Sequence, residues 1–201
     1  MKISQAAFDL IVQQEVSSKA TYIKKYQHPE WPGASSGVTV GIGYDLGQTS
    51  AETIRSDWQG IVDADMLDIM CRCSGTTGPN AATLTKKVRD KITIAWEQAI
   101  KVHQDSVLPR WEAKVEKALP NTDKLTPDQL GALVSLTFNR GPSFSTAGNR
   151  YSEMRGIKEA MANQQFNKIP ELFRSMKRLW PNLKGLRDRR EAEAKLFERG
   201  E

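Results

Sequence analysis

The sequence predicts an α+β protein that is mostly α-helical, with one small β element near its N terminus. Apolar residues recur at helical spacing through most of the 201-residue chain. The stretch 37–47, GVTVGIGYDLG, differs, because its partial alternation and its glycines suit short strands joined by turns. The length and a hydrophobic share of 39% allow a proper core. We therefore expect one domain over residues 1–201, with a small β lobe over about residues 20–50 and a larger helical lobe formed by the remainder.

Caps, turn residues and apolar periodicity predict the secondary structure of the first half of the chain. Ser4 can cap a first helix, and its apolar residues form one stripe. A loop rich in His, Pro, Trp, Gly and Ser over residues 26–37 leads into the β element. Helical patterns return over residues 51–58 and 63–71. A regular apolar face then predicts one long helix over residues 85–103.

The second half of the chain reads as helices throughout. The sequence from Thr126 to Gln129 is a capping box with proline at the first helical position, and an apolar body follows it until Gly141. Three shorter helices are expected near residues 156–163, 166–179 and 187–199. We expect Arg189, Arg190 and Glu193 to form a structural ion-pair group, since arginine forks often organise helix junctions.

The charge and the cysteines limit the partners. A formal charge of +5 favours an anionic partner, but aromatic and basic residues do not interleave as they do on a nucleic-acid platform, so we expect no nucleic acid. Cys71 and Cys73 are too close for an unstrained disulfide, and nothing nearby completes a metal site. We therefore expect two free thiols, no metal and no organic cofactor.

The N terminus and the apolar runs suggest how the protein is made. The first helix is amphipathic and contains acidic residues, unlike a signal peptide, and no apolar run approaches the length of a membrane span. We expect a monomer that is made in the cytoplasm without a secretion signal and does not insert into a membrane.

Three polar residues are candidates for chemistry. Glu15 lies one turn beyond Ile11 on the core-facing side of the first helix, where a carboxyl group suits a general acid. The alternative is a glutamate at the helix end that reaches water or pairs with a lysine such as Lys19. Thr39 could hold a water molecule or simply favour a strand. Asp45 ends the strand, either as a turn cap or as the second of the two carboxylates that glycosidic bond hydrolysis requires.

The order of five segments resembles the phage-type lysozymes of glycoside hydrolase family 24. The segments are ISQAAFDLIVQQE, TY, GVTVGIGYDLG, LGALVSLTFNRG and GLRDRREAEAKLF, and the likeness runs over residues 3–197. It implies a lysozyme-like fold, with Glu15 as the catalytic acid and Thr39 as the residue that positions the attacking water. Many of these enzymes place their aspartate before the threonine, where Lys24 and Lys25 stand here. The pesticin-like branch places it after the threonine motif, which makes Asp45 the second carboxylate.

The resemblance also nominates residues around the cleft. Glu30, in the inserted loop, is the fallback for the second carboxylate. Trp31 beside it is either a platform for sugar stacking or a loop anchor. Tyr44, Asn139 and Arg140 are the other expected substrate-binding residues.

The implied activity is that of a peptidoglycan muramidase. It would cleave the β-1,4 bond between N-acetylmuramic acid and N-acetylglucosamine and lyse bacterial cells, with inversion if the two carboxyl groups stand about 6.5–9.5 Å apart. The alternatives are a lytic transglycosylase or a chitosanase on the same fold, or a catalytically silent wall-binding module. We expect it to act in the periplasm or on the wall after delivery by a phage or a secretion system, with a delivery apparatus and an immunity protein as further partners.

Overall fold

The computed structural model describes residues 2–200 and confirms the predicted fold class, an α+β protein that is mostly α-helical. Its two strands pair antiparallel in one small sheet. The strands are β1 (Thr39–Val40) and β2 (Tyr44–Asp45). The α-helices within residues 2–200 are α1 (Gln5–Val16), α2 (Lys19–Lys25), α3 (Ala51–Trp58), α4 (Ala64–Arg72), α5 (Gly78–Val88), α6 (Trp96–Val102), α7 (Leu108–Ala118), α8 (Pro127–Arg140), α9 (Ser152–Ala162), α10 (Ile169–Ser175) and α11 (Lys184–Glu198).

Shorter helical turns join several of these elements. The 3₁₀ turns are Arg89–Lys91, Thr122–Lys124, Asn149–Tyr151, Phe166–Lys168 and Met176–Leu179, and a π-helical turn covers His103–Val107. The helix predicted over residues 166–179 is therefore α10 with a 3₁₀ turn at each end.

The chain folds into two compact units. One comprises residues 15–107 and holds the β hairpin together with α2 to α6. The other comprises residues 2–14 and 108–200 in the described part of the chain, and holds α7 to α11 with the first turns of α1. The hairpin thus shares its unit with five helices.

The predicted helix ends agree with the structure where a cap defines them. The Ser4 hydroxyl accepts a hydrogen bond from the backbone N–H of Ala7 at 3.1 Å, which starts α1. The Thr126 capping box is complete, with its hydroxyl and the Gln129 side chain each satisfying a backbone N–H. Gly141, with φ of 75°, ends α8.

The long helix predicted over residues 85–103 is wrong. The chain leaves the helix after α5, makes a 3₁₀ turn and becomes extended at Ile92, with φ of −125° and ψ of 120°, before α6 begins. Val88, Ile92, Ala99 and Val102 of the predicted face are still buried, but they belong to two helices and an extended segment, and Ala95 of the same face is exposed. Their spacing alone could not distinguish these arrangements.

Hydrogen bonds from another part of the chain hold the extended segment. The Ile94 N–H donates to the carbonyl oxygen of Gln27 at 2.8 Å, and the Tyr22 hydroxyl donates to the carbonyl oxygen of Ile94 at 3.0 Å. Ile92 and Ile94 are both fully buried. These backbone groups therefore find tertiary partners that a continuous helix would not allow.

The unit formed mainly by the second half of the chain is built around α8, which is buried from Gln129 to Thr137 and packs against α7 and α11. Gly131 lets α1 lie close to α8, because a Cβ atom there would stand 2.1 Å from the Cβ of Ala7. The expected ion-pair group is confirmed in this unit, since the Glu193 carboxylate pairs with both Arg189 and Arg190, and the three side chains are buried.

The cysteines are free thiols, as expected. Burial raises the pKa of Cys73 to about 11, so this thiol stays protonated at neutral pH. Among the described residues, no group of three or more His, Cys, Asp or Glu side chains is placed to hold a metal ion. No helix within residues 2–200 is long and apolar enough to cross a bilayer.

His103 should make the stability of the protein pH-dependent. It is 1% exposed, and burial lowers its pKa to about 4 from an ordinary value near 6.5. Between these values the unfolded chain binds the proton and the native protein does not, so the stabilisation is complete above pH 6.5 and falls as the pH falls. The loss should reach about 3 kcal/mol at pH 4. Urea unfolding of wild type and His103→Gln at several pH values measures it.

The substitution of His103 tests this assignment directly. His103→Gln should flatten the pH dependence of the free energy of unfolding between pH 6.5 and 4.5, because the variant lacks the buried imidazole. Equal slopes for wild type and His103→Gln would assign the acid sensitivity to the carboxylates instead.

Candidate active site

The candidate site is built on the polar face of the small sheet. Val38, Val40 and Leu46 are buried, whereas Thr39 and Asp45 between them are partly exposed. Because successive side chains of a strand point to opposite faces, Thr39 and Asp45 share the face that looks away from the core.

A third strand-like contact extends this row of side chains. Thr39 pairs with Asp45 on one side and forms an isolated antiparallel bridge with Glu30 on the other. Directly paired residues of antiparallel strands place their side chains on the same face. The register therefore aligns Glu30, Thr39 and Asp45 in one row with the threonine at its centre.

The backbone hydrogen bonds show which neighbour Thr39 approaches more closely. Its N–H and carbonyl both bond to Glu30, at 2.8 and 2.9 Å, while the Leu46 N–H donates to Val38 on the other side. Thr39 and Asp45 therefore form a non-hydrogen-bonded pair, the kind in which Cα atoms and side chains come closest. The Thr39 hydroxyl donates to the carbonyl oxygen of Gly37 at 3.3 Å, which keeps its lone pairs available to accept a bond from water.

Two glycines make the turn between the strands. Gly41 and Gly43 have φ of 59° and 67°, in the left-handed region that other residues adopt at a cost. The turn brings Asp45 back beside Thr39, six residues later in the chain. The glycines are thus required by the register that forms the row.

Two members of this row, Glu30 and Thr39, line a pocket of about 230 Å³ within the unit of residues 15–107. Glu15, Glu30 and Thr39 line it, together with the two turn glycines. The structure therefore brings together three of the predicted site residues, which are far apart in sequence. The remaining lining residues are Val16, Tyr26 and Pro32.

Glu15 lies in the last turn of α1 and is partly buried. The helix ends at the next residue, Val16. Ser17 follows with φ of 64°, and the chain turns there towards α2. The Lys19 ammonium group, which was considered as a partner of Glu15, pairs with the Glu97 carboxylate at 2.6 Å.

Asp45 is held in place by backbone donors. Its carboxylate accepts hydrogen bonds from the Gly37 N–H, at 2.9 and 3.1 Å to its two oxygens, and from the Gln48 N–H at 3.0 Å. Gly37 has no room for a side chain here, since a Cβ atom would lie 2.3 Å from Asp45 Oδ1. Asp45 thus has a fixed orientation, and its carboxylate acts as the turn cap that was considered as an alternative. It pairs with Thr39 in the sheet, but it is not one of the residues that line the pocket.

Glu30 lines the pocket itself but is paired with a cation. Its Oε1 atom accepts a hydrogen bond from Arg89 Nη1 at 2.7 Å, and the same nitrogen donates to the carbonyl oxygen of Pro29 at 2.8 Å. The arginine therefore neutralises this carboxylate and fixes its position.

The two aromatic residues nominated for sugar binding have structural contacts. Tyr44 is 5% exposed, its hydroxyl donates to Asp57 Oδ2 at 2.7 Å, and its ring packs edge-on against Trp58, so its prediction as a substrate-binding residue is wrong. It precedes Asp45 in the strand and so faces the core. The Trp31 indole N–H donates to the carbonyl oxygen of Ser36 at 3.0 Å, a contact that suits a loop anchor, and its role in sugar stacking stays a prediction.

Asn139 and Arg140 lie at the end of α8, in the other unit. Asn139 Oδ1 accepts a hydrogen bond from Arg190 at 3.3 Å, and Arg140 donates to the carbonyl oxygen of Arg150 at 2.8 Å. The Arg140 guanidinium also lies 5.2 Å from the ring centroid of Trp180. Their roles in substrate binding remain predictions.

Comparison with protein-family models adds a family to this description. Residues 8–126 match the model described as "Domain of unknown function (DUF8812)". The match covers more than half of the chain, so the protein belongs to this family. No curated protein matches the chain.

Proposed function

We propose that the protein is a peptidoglycan muramidase that hydrolyses the β-1,4 bond between N-acetylmuramic acid and N-acetylglucosamine. The observation that carries this proposal is the pocket lined by Glu15 and Thr39, with Asp45 paired directly with the threonine in the small sheet. Two carboxyl groups on opposite sides of a sugar, with a hydroxyl to orient water, are the groups that glycosidic bond hydrolysis needs. The resemblance to family 24 lysozymes assigns the same residues.

The chemistry divides among three side chains. Protonated Glu15 donates its proton to the glycosidic oxygen as the bond from that oxygen to the anomeric carbon breaks. A water molecule, which donates a hydrogen bond to the Thr39 hydroxyl, attacks the anomeric carbon from the opposite face, and Asp45 accepts its second proton. The product is a reducing sugar of inverted configuration.

Asp45 suits the role of base better than Glu30 does. Backbone N–H groups hold the Asp45 carboxylate without neutralising its charge, whereas an arginine neutralises Glu30.

The formal charge of +5 also supports the proposal, because a basic surface speeds encounter with an anionic wall polymer. In this proposal the enzyme reaches the wall by phage-dependent or secretion-system-dependent delivery, and an immunity protein would protect a secreting cell.

Mass spectrometry of the fragments released from purified peptidoglycan tests the proposal. Reducing muropeptides are the expected products. Anhydro-muropeptides would identify a lytic transglycosylase instead, and release of nothing, with the protein sedimenting with the wall, would identify a binding module.

The second carboxylate is tested by a pair of variants. Asp45→Asn should lower kcat by about 10²-fold, because the attacking water loses its base, whereas Glu30→Gln should stay within a few-fold of wild type. An asparagine amide would also face the backbone donors of the turn, so the melting temperature of each variant is measured alongside. The reverse ranking of rates, with both variants folded, would move the base to Glu30.

A further inference from the structure

The pocket has lining residues that the proposed chemistry does not use. They are Val16, Tyr26 and Pro32, and they line it together with the carboxylates and the threonine. A site with apolar and polar sides suits an amphipathic ring, because a pyranose presents C–H groups on its faces and hydroxyl groups at its edge.

Tyr26 is held by its backbone while its side chain stays partly exposed. It is the C-cap residue of α2, and its N–H donates to the carbonyl oxygen of Tyr22 at 2.7 Å. The other end of the same helix is fixed by the Ser18 hydroxyl, which accepts a hydrogen bond from the Thr21 N–H at 3.1 Å. A tyrosine that starts from a capped backbone has only its own side-chain rotations to lose on binding.

The dimensions of the pocket indicate how much of a glycan it takes. Gly41 and Gly43 line it without side chains, so the turn backbone forms part of its surface. Its volume of about 230 Å³ is below the range of about 300–1,000 Å³ that is typical of pockets for drug-sized ligands. One sugar ring, rather than a longer segment, fits this space.

We infer that Tyr26, with Pro32 beside it, is the surface on which the sugar ring next to the cleaved bond stacks. The inference rests on the proposed function and identifies a substrate-binding residue of the same site. Aromatic rings bind apolar surface through their faces and cost little conformational entropy. Tyr26 thus takes the role that the sequence suggested for Tyr44 and Trp31, whose hydroxyl and indole N–H groups bond within the protein.

Kinetics of two substitutions test the stacking role. Tyr26→Ala should raise KM for purified peptidoglycan by about 10-fold or more, with kcat within a few-fold of wild type, because it removes binding surface and no reacting group. Tyr26→Phe should keep the wild-type KM, since stacking needs the ring and not the hydroxyl. Ile23→Ala is the matched control, because Ile23 is an exposed apolar residue on the same helix.

A direct binding measurement separates this inference from the proposed function. The N-acetylglucosamine tetramer is titrated into Glu15→Gln and into Glu15→Gln/Tyr26→Ala by calorimetry, and the second protein should bind at least about 10-fold more weakly. Loss of binding in the double variant supports the stacking surface even if wild type releases no muropeptides. Equal affinities, with both proteins folded by circular dichroism, would overturn it even if wild type is a hydrolase. A Tyr26→Phe variant as weak as Tyr26→Ala would also overturn it, since the hydroxyl would then be the binding group.

Discussion

Glu15→Gln is expected to lower the rate of muropeptide release by between about 10² and 10⁴-fold, the range usual for loss of a general acid. The amide has nearly the shape of the carboxyl group but cannot donate a proton to the glycosidic oxygen. Because Glu15 lies in the last turn of α1 and is only partly buried, the substitution should preserve the fold. Release of soluble fragments, measured with melting temperature, tests both expectations.

Asp9→Asn is the matched control for this variant. Asp9 lies on the same helix, is exposed, and accepts a hydrogen bond from the Gln5 side chain at 2.8 Å. The same replacement of a carboxyl group by an amide should leave the rate unchanged there. If Glu15→Gln keeps more than half of the wild-type rate, another residue supplies the proton and the proposed mechanism fails.

The fold was predictable where the signals are local. The caps at Ser4 and Thr126 and the stop at Gly141 depend on side chains and backbone angles within a few residues, so the sequence contains all the information they need. The prediction of a long helix was wrong because the contacts that decide this segment are not local. The groups that hold Ile92 and Ile94 in an extended segment come from residues about 70 positions earlier, and no local pattern reports them.

The candidate site also has a part that was predictable from local sequence and a part that was not. A hairpin with its turn at Gly41 and Gly43 brings Thr39 and Asp45 opposite each other, which the spacing of the motif allowed us to expect. The alternation of a strand also shows that adjacent residues cannot face the same side, so Tyr44 could have been excluded from the sequence alone. The bridge from Thr39 to Glu30 and the place of Tyr26 in the pocket depend on an irregular loop, whose course the sequence does not define.

The largest expected effect on stability comes from Glu193. This side chain is fully buried in α11, where its Oε1 atom accepts hydrogen bonds from the Ser135 hydroxyl at 2.7 Å and from Arg190 Nη2 at 2.8 Å. Its Oε2 atom lies 2.8 Å from Arg190 Nε, and Arg189 approaches Oε1 to 3.3 Å. Burial lowers the pKa of Arg190 to about 10, so its guanidinium group is still charged at neutral pH. Burial raises the pKa of the Glu193 carboxyl group, and the charges of Arg190 and Arg189 oppose that rise. As a carboxylate, Glu193 compensates two cations that cannot reach water.

Glu193→Gln should consequently reduce the free energy of unfolding by about 3–5 kcal/mol, since it leaves the buried arginines without their counter-charge. For a chain of this size the melting temperature should fall by about 6–20 °C. Glu198→Gln, on the same helix, removes a partner of Arg174 that is partly exposed, and should cost no more than about 1 kcal/mol. Chemical unfolding at pH 7 compares the two variants. If the free energy of unfolding falls equally little in both variants, Glu193 is protonated in the native protein and binds the arginines as a neutral acid. An amide could replace a neutral acid there at small cost.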